Sequence, residues 1–354
     1  MVSLKEYLAL PMQERFVPLD AEQEERVENI IKDNILVDLH THITDWNWEK
    51  GWERNRVRNS RVDCFWEAIA IVQEDFDVSM RKMGSMFALI HNEPDMNVAF
   101  CSDDIKRAKR EGKQVVMVQL EPQTVGLDLD LIEIAYGLGV RMMLLTFNVR
   151  NYVGDGCGER FDTGLTYFGL DFVERANQTG MLIDVSHCGA KTTLEAIEAS
   201  SDPVVCSHSG AQALNPKVKR LKTDEAIKAL AAKGGVFAVS AIPNQLSSAK
   251  QQGIEDMLNH IDYIVKLVGV EHVAIGLDNI FDDHVKLHRD TQKDRFDRPD
   301  RIGVDLVADY MEGIESPEEW PNIVRGLVSR GYSDEDVAKI VGGNAMRITE
   351  QVIG

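Results

Sequence analysis

Six side chains able to hold a metal ion or move a proton each close an apolar run of the chain: His40, His42, Glu121, His187, His208 and Asp278. Neutral imidazole nitrogen and carboxylate oxygen are ligands that zinc accepts. His40 and His42 stand two apart, so on a strand both point to one side and can reach one ion. His187 and His208 could take a second ion, with Glu121 bridging the two. Two ions sharing a bridge lower the pKa of a bound water and polarise a carbonyl. Asp278 then suits the general base and proton carrier. A lone histidine at a strand end is more often structural than a ligand. The weight lies in the pattern, because all six fall where a strand should stop.

Residues this far apart must be gathered by the fold. Short β-rich runs at 35–40, 85–90, 114–120, 141–147, 181–186, 203–208, 235–241 and 272–277 predict eight strands. Their near-continuous apolar character suits strands buried on both faces of a parallel sheet. Between them, 102–111, 129–137, 170–179, 190–199 and 224–233 have helical spacing, with Gly112, Gly139, Gly180 and Gly234 placed as C-terminal stops. The alternation predicts an α/β chain folded as a (β/α)8 TIM barrel, whose strand ends converge on one face. No G-x-G-x-x-G follows the first strand, which weakens a dinucleotide-binding sheet. Residues 1–34 are expected to form a helical N-terminal extension and 35–354 the hydrolase barrel. A long polar loop is expected at 279–300, then C-terminal helices.

A single barrel with insertions accounts for 354 residues, and 44% hydrophobic with 27% charged residues is a globular composition. Thirty-nine basic against 58 acidic residues give a net charge of −19, which argues against nucleic-acid phosphate and anionic membrane surfaces as partners. Five cysteines, an odd number with no C-x-x-C pair, argue against a disulfide framework or a structural zinc finger. The N-terminal MVSLKEYLALPMQERF lacks a long apolar core, and no apolar run approaches a membrane span. The expectation is a soluble cytoplasmic protein. Trp46, Trp48, Trp52 and Trp66 are read as loop packing or a pocket lid.

At these residues the sequence resembles the membrane (renal) dipeptidase family of the amidohydrolase superfamily. The stretches that carry the resemblance are GLTYFGLDFVERANQTGMLIDVSH (164–187), PVVCSHSGAQAL (203–214), LGVRMMLLTFN (138–148) and NIVRGLVSRGYSDEDVAKIVGGNAMRI (322–348). The resemblance covers most of the chain from about residue 35 and is weakest over 43–110. It implies a barrel with two zinc ions that hydrolyses dipeptides. It makes Glu121 the bridging ligand, His187 and His208 ligands of one metal, and Asp278 the catalytic acid. Arg220, in KRLKTDE, matches the family arginine that holds the substrate carboxylate, a role suited to a planar guanidinium.

Several positions depart from the family pattern. His42 stands where the family has Asp, and Pro122 and Gln123 follow Glu121 in place of two glycines. Phe147 replaces the strand-four histidine that helps to stabilise the oxyanion. Leu221 replaces an Asn, and Asn279, Ile280 and Phe281 replace Phe-Asp-Gly. The metal site is thus expected to be kept in kind and the substrate pocket altered. Phe147 would add apolar surface, with Asn148, Arg150 or Tyr152 as alternative donors. The expected function is a metalloprotease-like hydrolase that uses two zinc ions to cut an amide-type bond in a small carboxylate-bearing substrate. Lactone or cyclic-amide hydrolysis is the alternative. A metal-binding protein without catalysis comes third, opposed by Glu121 and Asp278. A homodimer stays open.

Overall fold

In a computed structural model, residues 9–10, 12–43, 54–69, 74–120, 125–279 and 310–354 are described. Eight parallel strands form the barrel: β1 (Val37–Thr41), β2 (Cys64–Ala68), β3 (Gln114–Leu120), β4 (Val140–Leu144), β5 (Leu182–Asp184), β6 (Val205–Ser209), β7 (Val236–Val239) and β8 (Val273–Ile275). Each pairs with the next in chain order. Hydrogen bonds just beyond the strands close the ring between β8 and β1. Asp278 N–H donates to the His40 carbonyl at 2.9 Å, His42 N–H to the Asn279 carbonyl at 3.1 Å, and Leu277 N–H to Asp38 Oδ1 at 3.0 Å. The chain is a nearly closed (β/α)8 barrel with helices packed around it.

The strands form where the apolar runs predict, with one exception. Residues 85–90 are not a strand but the second half of the helix Phe76–His91. That helix starts at an Asp75 cap and buries Ser79, Met83, Met86 and Ile90, spaced three or four apart as one helical face requires. The true second strand is Cys64–Ala68, all five residues of which are buried. Its apolar run is broken by Glu67, which is 1% exposed and accepts from Ile43 N–H at 2.7 Å. A satisfied buried carboxylate hid this strand from a reading based on hydrophobicity.

Gly112, Gly139 and Gly180 end their helices in the left-handed conformation, as the sequence predicts. Two other glycines are required by close approach. A Cβ at Gly276 would fall 1.9 Å from the Ser207 carbonyl oxygen, and one at Gly342 would fall 1.8 Å from that of Ile35. The first holds β8 against β6, and the second seats the C-terminal VGGN turn under the start of β1. The helix Ala21–Asp33 buries Val27, Ile30 and Ile31 and is tied to the helix Pro321–Ser329 by Arg325 on Glu24. Among the described residues no helix is long and apolar enough to cross a membrane. The five cysteines are free, and all but Cys101 are buried. Trp66 is buried core, whereas Trp46, Trp48 and Trp52 and the loop expected at 279–300, from 280 on, lie outside the described residues.

Candidate metal centre

His40 is the fourth residue of β1 and His208 the fourth of β6; His42, His187 and Asp278 each follow a strand by one to three residues. The barrel brings all five together. Donor atoms of His40, His208 and Asp278 lie within 4.8 Å of one another. Asp278 Oδ1 is 3.5 Å from His40 Nε2 and 3.8 Å from His42 Nε2, and Oδ2 is 3.9 Å from His208 Nε2. His187 Nε2 and His208 Nε2 approach to 2.9 Å. The His40 ring stacks on that of His208 at 3.6 Å. Glu121, the carboxylate expected to bridge, lies outside the described residues.

Hydrogen bonds behind the rings fix which nitrogen faces the cluster. His40 Nδ1 meets Gln119 Oε1 at 2.7 Å, His208 Nδ1 meets Ser207 Oγ at 2.7 Å, and His187 Nδ1 meets Asn148 Oδ1 at 2.8 Å. An amide oxygen can only accept, so His40 and His187 carry a proton on Nδ1. Ser207 gives its own proton to Asp184 Oδ2 at 2.5 Å and so accepts from His208. In their neutral forms all three imidazoles therefore aim a bare Nε2 lone pair into one space. Between His187 and His208 two lone pairs meet at 2.9 Å with no proton to share. Two imidazoles on one tetrahedral zinc place their nitrogens roughly 3.3 Å apart. The donor set fits a cation better than any hydrogen bond.

The electrostatics agree. Burial disfavours the charged form of His40, but the Asp278 carboxylate beside it outweighs burial, and its pKa is pushed up to about 8. Burial, then the positive charge of His40 and Arg220, holds His208 well below its ordinary value. Burial would raise Asp278, yet His40, His42 and Arg220 hold its carboxyl below the usual range. Asp278 also has a left-handed backbone, φ 59°, a conformation that an Asp adopts more readily than most residues and that recurs at functional sites.

The profile of the membrane dipeptidase family, peptidase family M19, matches residues 24–292 and 302–353. The chain belongs to the membrane dipeptidase family. Dipeptidase tcpJ of Claviceps purpurea is 28% identical over 261 residues, 73% of this chain and 55% of that protein, so the chain spans just over half the length of this relative. The crystal structure of an amidohydrolase from Pseudomonas aeruginosa superposes with a TM-score of 0.83 at 27% identity, covering 93% of this chain and 99% of that one. The probable dipeptidase PvdM of Pseudomonas aeruginosa, at 20% identity, shares the fold with a TM-score of 0.77 over 94% of this chain and 99% of that one.

Where this chain departs from the dipeptidase pattern, the geometry is specific. Phe147 lies three residues past β4, its ring stacked on His187 at 4.1 Å and 20°. A phenyl ring there offers no hydrogen-bond donor. Asn148 turns its amide oxygen to His187 and Arg150 is paired with Asp155, while the Tyr152 side chain is 59% exposed. Arg220 is 1% exposed; its Nη1 donates to the Ser186 carbonyl at 2.5 Å and its Nη2 to that of His208 at 2.8 Å. Its Nε is buried and has no hydrogen-bond partner among the described residues.

The sequence reading missed the polar residues under the candidate ligands: Gln119, Asp184, Ser186 and Ser207. A signal existed, since each interrupts an apolar strand run, as in VVMVQL, MLIDVS and PVVCSH.

Proposed function

We propose that this chain is a metal-dependent hydrolase of the dipeptidase kind, cutting an amide-type bond in a small carboxylate-bearing substrate with two zinc ions. The observation that carries the reading is the convergence of three Nε2 lone pairs and the Asp278 carboxylate on one space. His40, His42, His187 and His208 would hold the ions, with Glu121 as the bridging carboxylate that the family resemblance implies. When bound, zinc supplies an acidified water and a polarised carbonyl. Asp278, ionised at neutral pH, accepts the proton of the attacking water and passes it to the leaving nitrogen. Arg220 supplies the positive group facing the substrate carboxylate. Residues 1–34 serve as the helical extension to the barrel of 35–354.

Phe147 favours a second reading of the substrate. Where a dipeptidase has a donor for the oxygen that gains charge, this chain has an apolar ring against His187. Tyr152, largely exposed, is the candidate donor whose hydroxyl no other described group engages, and we assign it to the substrate side of the site. Losing one oxyanion donor costs on the order of a hundred- to a thousandfold in rate. A carbonyl more reactive than a peptide, as in a lactone or a strained cyclic amide, or a substrate with an apolar group beside the metals, offsets that loss. Elemental analysis of protein purified without chelator should find about two zinc ions per chain. Rates on dipeptides, N-acyl amino acids and lactones, with and without added zinc, should show zinc-dependent turnover of at least one class. A metal content near zero, with no rescue by added zinc, sinks the reading.

A further inference from the structure

Asp184 closes β5, is fully buried, and among the described residues hydrogen-bonds to the side chain of none of the proposed ligands. Five donors converge on its carboxylate. Oδ1 accepts from Ser186 N–H at 2.9 Å, Ser186 Oγ–H at 2.5 Å and Ser207 N–H at 3.0 Å. Oδ2 accepts from Gln119 Nε2–H at 2.7 Å and Ser207 Oγ–H at 2.5 Å. Two of these five lead on to ligands. A carboxylate can only accept, so Gln119 must turn its NH2 toward Asp184 and its oxygen toward His40. For the same reason Ser207 must spend its one proton on Asp184 and present a lone pair to His208.

We propose that Asp184 is a positioning residue that sets the tautomer of two metal ligands at once, His40 through Gln119 and His208 through Ser207, so that both present Nε2 to the metals. The inference rests on the metal centre proposed above. A buried carboxylate that merely capped the backbone at Ser186 and Ser207 would leave both tautomers alone. In Asp184→Asn, an NH2 takes the place of one oxygen. The backbone N–H groups of Ser186 and Ser207 on Oδ1 cannot turn away, so the amide oxygen keeps that place and the NH2 takes the place of Oδ2, facing both Gln119 and Ser207. The Gln119 amide then turns over, offers NH2 to His40 Nδ1, and moves the His40 proton to Nε2, where it blocks the metal; the Ser207 hydroxyl turns toward His208 with the same effect. Partners behind metal-ligating histidines typically change metal affinity by about ten- to a hundredfold.

The test uses full-length protein labelled with ¹⁵N-histidine, stripped of metal and held near pH 9, where both rings are neutral. Long-range ¹H–¹⁵N spectra report the proton position of each ring without any metal. Wild type should show Nδ1–H at His40 and His208. Asp184→Asn should move at least one of them to Nε2–H, and titration with zinc alone against a chelating dye should show affinity about ten- to a hundredfold weaker. A folded Asp184→Asn with unchanged tautomers, or with unchanged zinc affinity, overturns the proposal. If Asp184→Asn does not fold, Ser207→Ala decides. It should release the fixed tautomer of His208 and leave that of His40, and a His208 ring still held as Nδ1–H overturns the proposal. Tautomers that respond to Asp184 in a protein that binds no zinc would support the positioning role and reject the metal reading, so the two fail separately.

Discussion

Asp278 is joined to His40 twice. Its N–H donates to the His40 carbonyl at 2.9 Å, and its carboxylate lies 3.5 Å from the Nε2 of the same residue. The first contact helps to close the barrel between β8 and β1; the second builds the site. Closing the ring and assembling the chemistry are therefore one event, and the left-handed turn at Asp278, φ 59°, is what lets one residue do both.

Asp278→Asn separates proton transfer from structure. Asn tolerates the left-handed conformation as well as Asp does, so the turn and its backbone hydrogen bond survive. The amide cannot take up a proton near neutral pH. Turnover should fall by on the order of a hundredfold or more, with the fold and most of the zinc retained. Near-normal turnover in the zinc-loaded variant would remove Asp278 from the proton path.

The metal-free protein should lose stability as pH rises. His40 has a folded pKa of about 8, above its ordinary value of 6.5, because the Asp278 carboxylate outweighs burial. Its contribution is fully present below about pH 6.5 and is lost as pH rises through about 8. The total is roughly 2 kcal/mol, at about 1.4 kcal/mol for each tenfold gain in proton affinity on folding. Asp38, raised by burial to about 7, adds to the decline at the lower end of this range. Comparing wild type with His40→Gln isolates the histidine. Urea unfolding of chelator-stripped protein at pH 6 and pH 9 should show a larger loss for wild type, and equal losses would contradict the His40–Asp278 pairing. Zinc must expel the same proton, so its affinity should weaken about tenfold for each pH unit below 8.

The barrel and most of the residues that cluster at its candidate metal centre were legible because strands buried on both faces tolerate few polar residues, so a histidine at a strand end stands out. The hidden parts have the same cause in reverse. Glu67 interrupts β2 and disguised it, while the unbroken apolar run from Met86 to Ile90 gave a helix the look of a strand. Asp184 and Gln119 look like flaws in apolar runs until the fold shows that they bond to each other at 2.7 Å, across the β3, β4 and β5 side of the barrel. No spacing rule links positions 119, 184 and 207; only the barrel does.

Arg220→Ala tests substrate recognition. If the guanidinium faces the substrate carboxylate, the variant should lose roughly 2 to 4 kcal/mol of transition-state binding on acidic substrates, and much less on the same substrates with the carboxylate esterified. Arg220 also ties the carbonyls of Ser186 and His208. An equal loss on free and esterified substrates would show that this tie is its whole role.

Whether a zinc hydrolase site is kept and Phe147 turns it away from ordinary dipeptides is decided most directly by kcat/KM of the zinc-loaded protein on a panel of L,L and L,D dipeptides, run beside lactones and N-acyl amino acids. Zinc-dependent turnover is expected, with dipeptide values below about 10⁴ M⁻¹s⁻¹ and a better substrate among the other classes. Dipeptide values above about 10⁴ M⁻¹s⁻¹, in the range of ordinary enzymes, would contradict it and make the protein a plain dipeptidase.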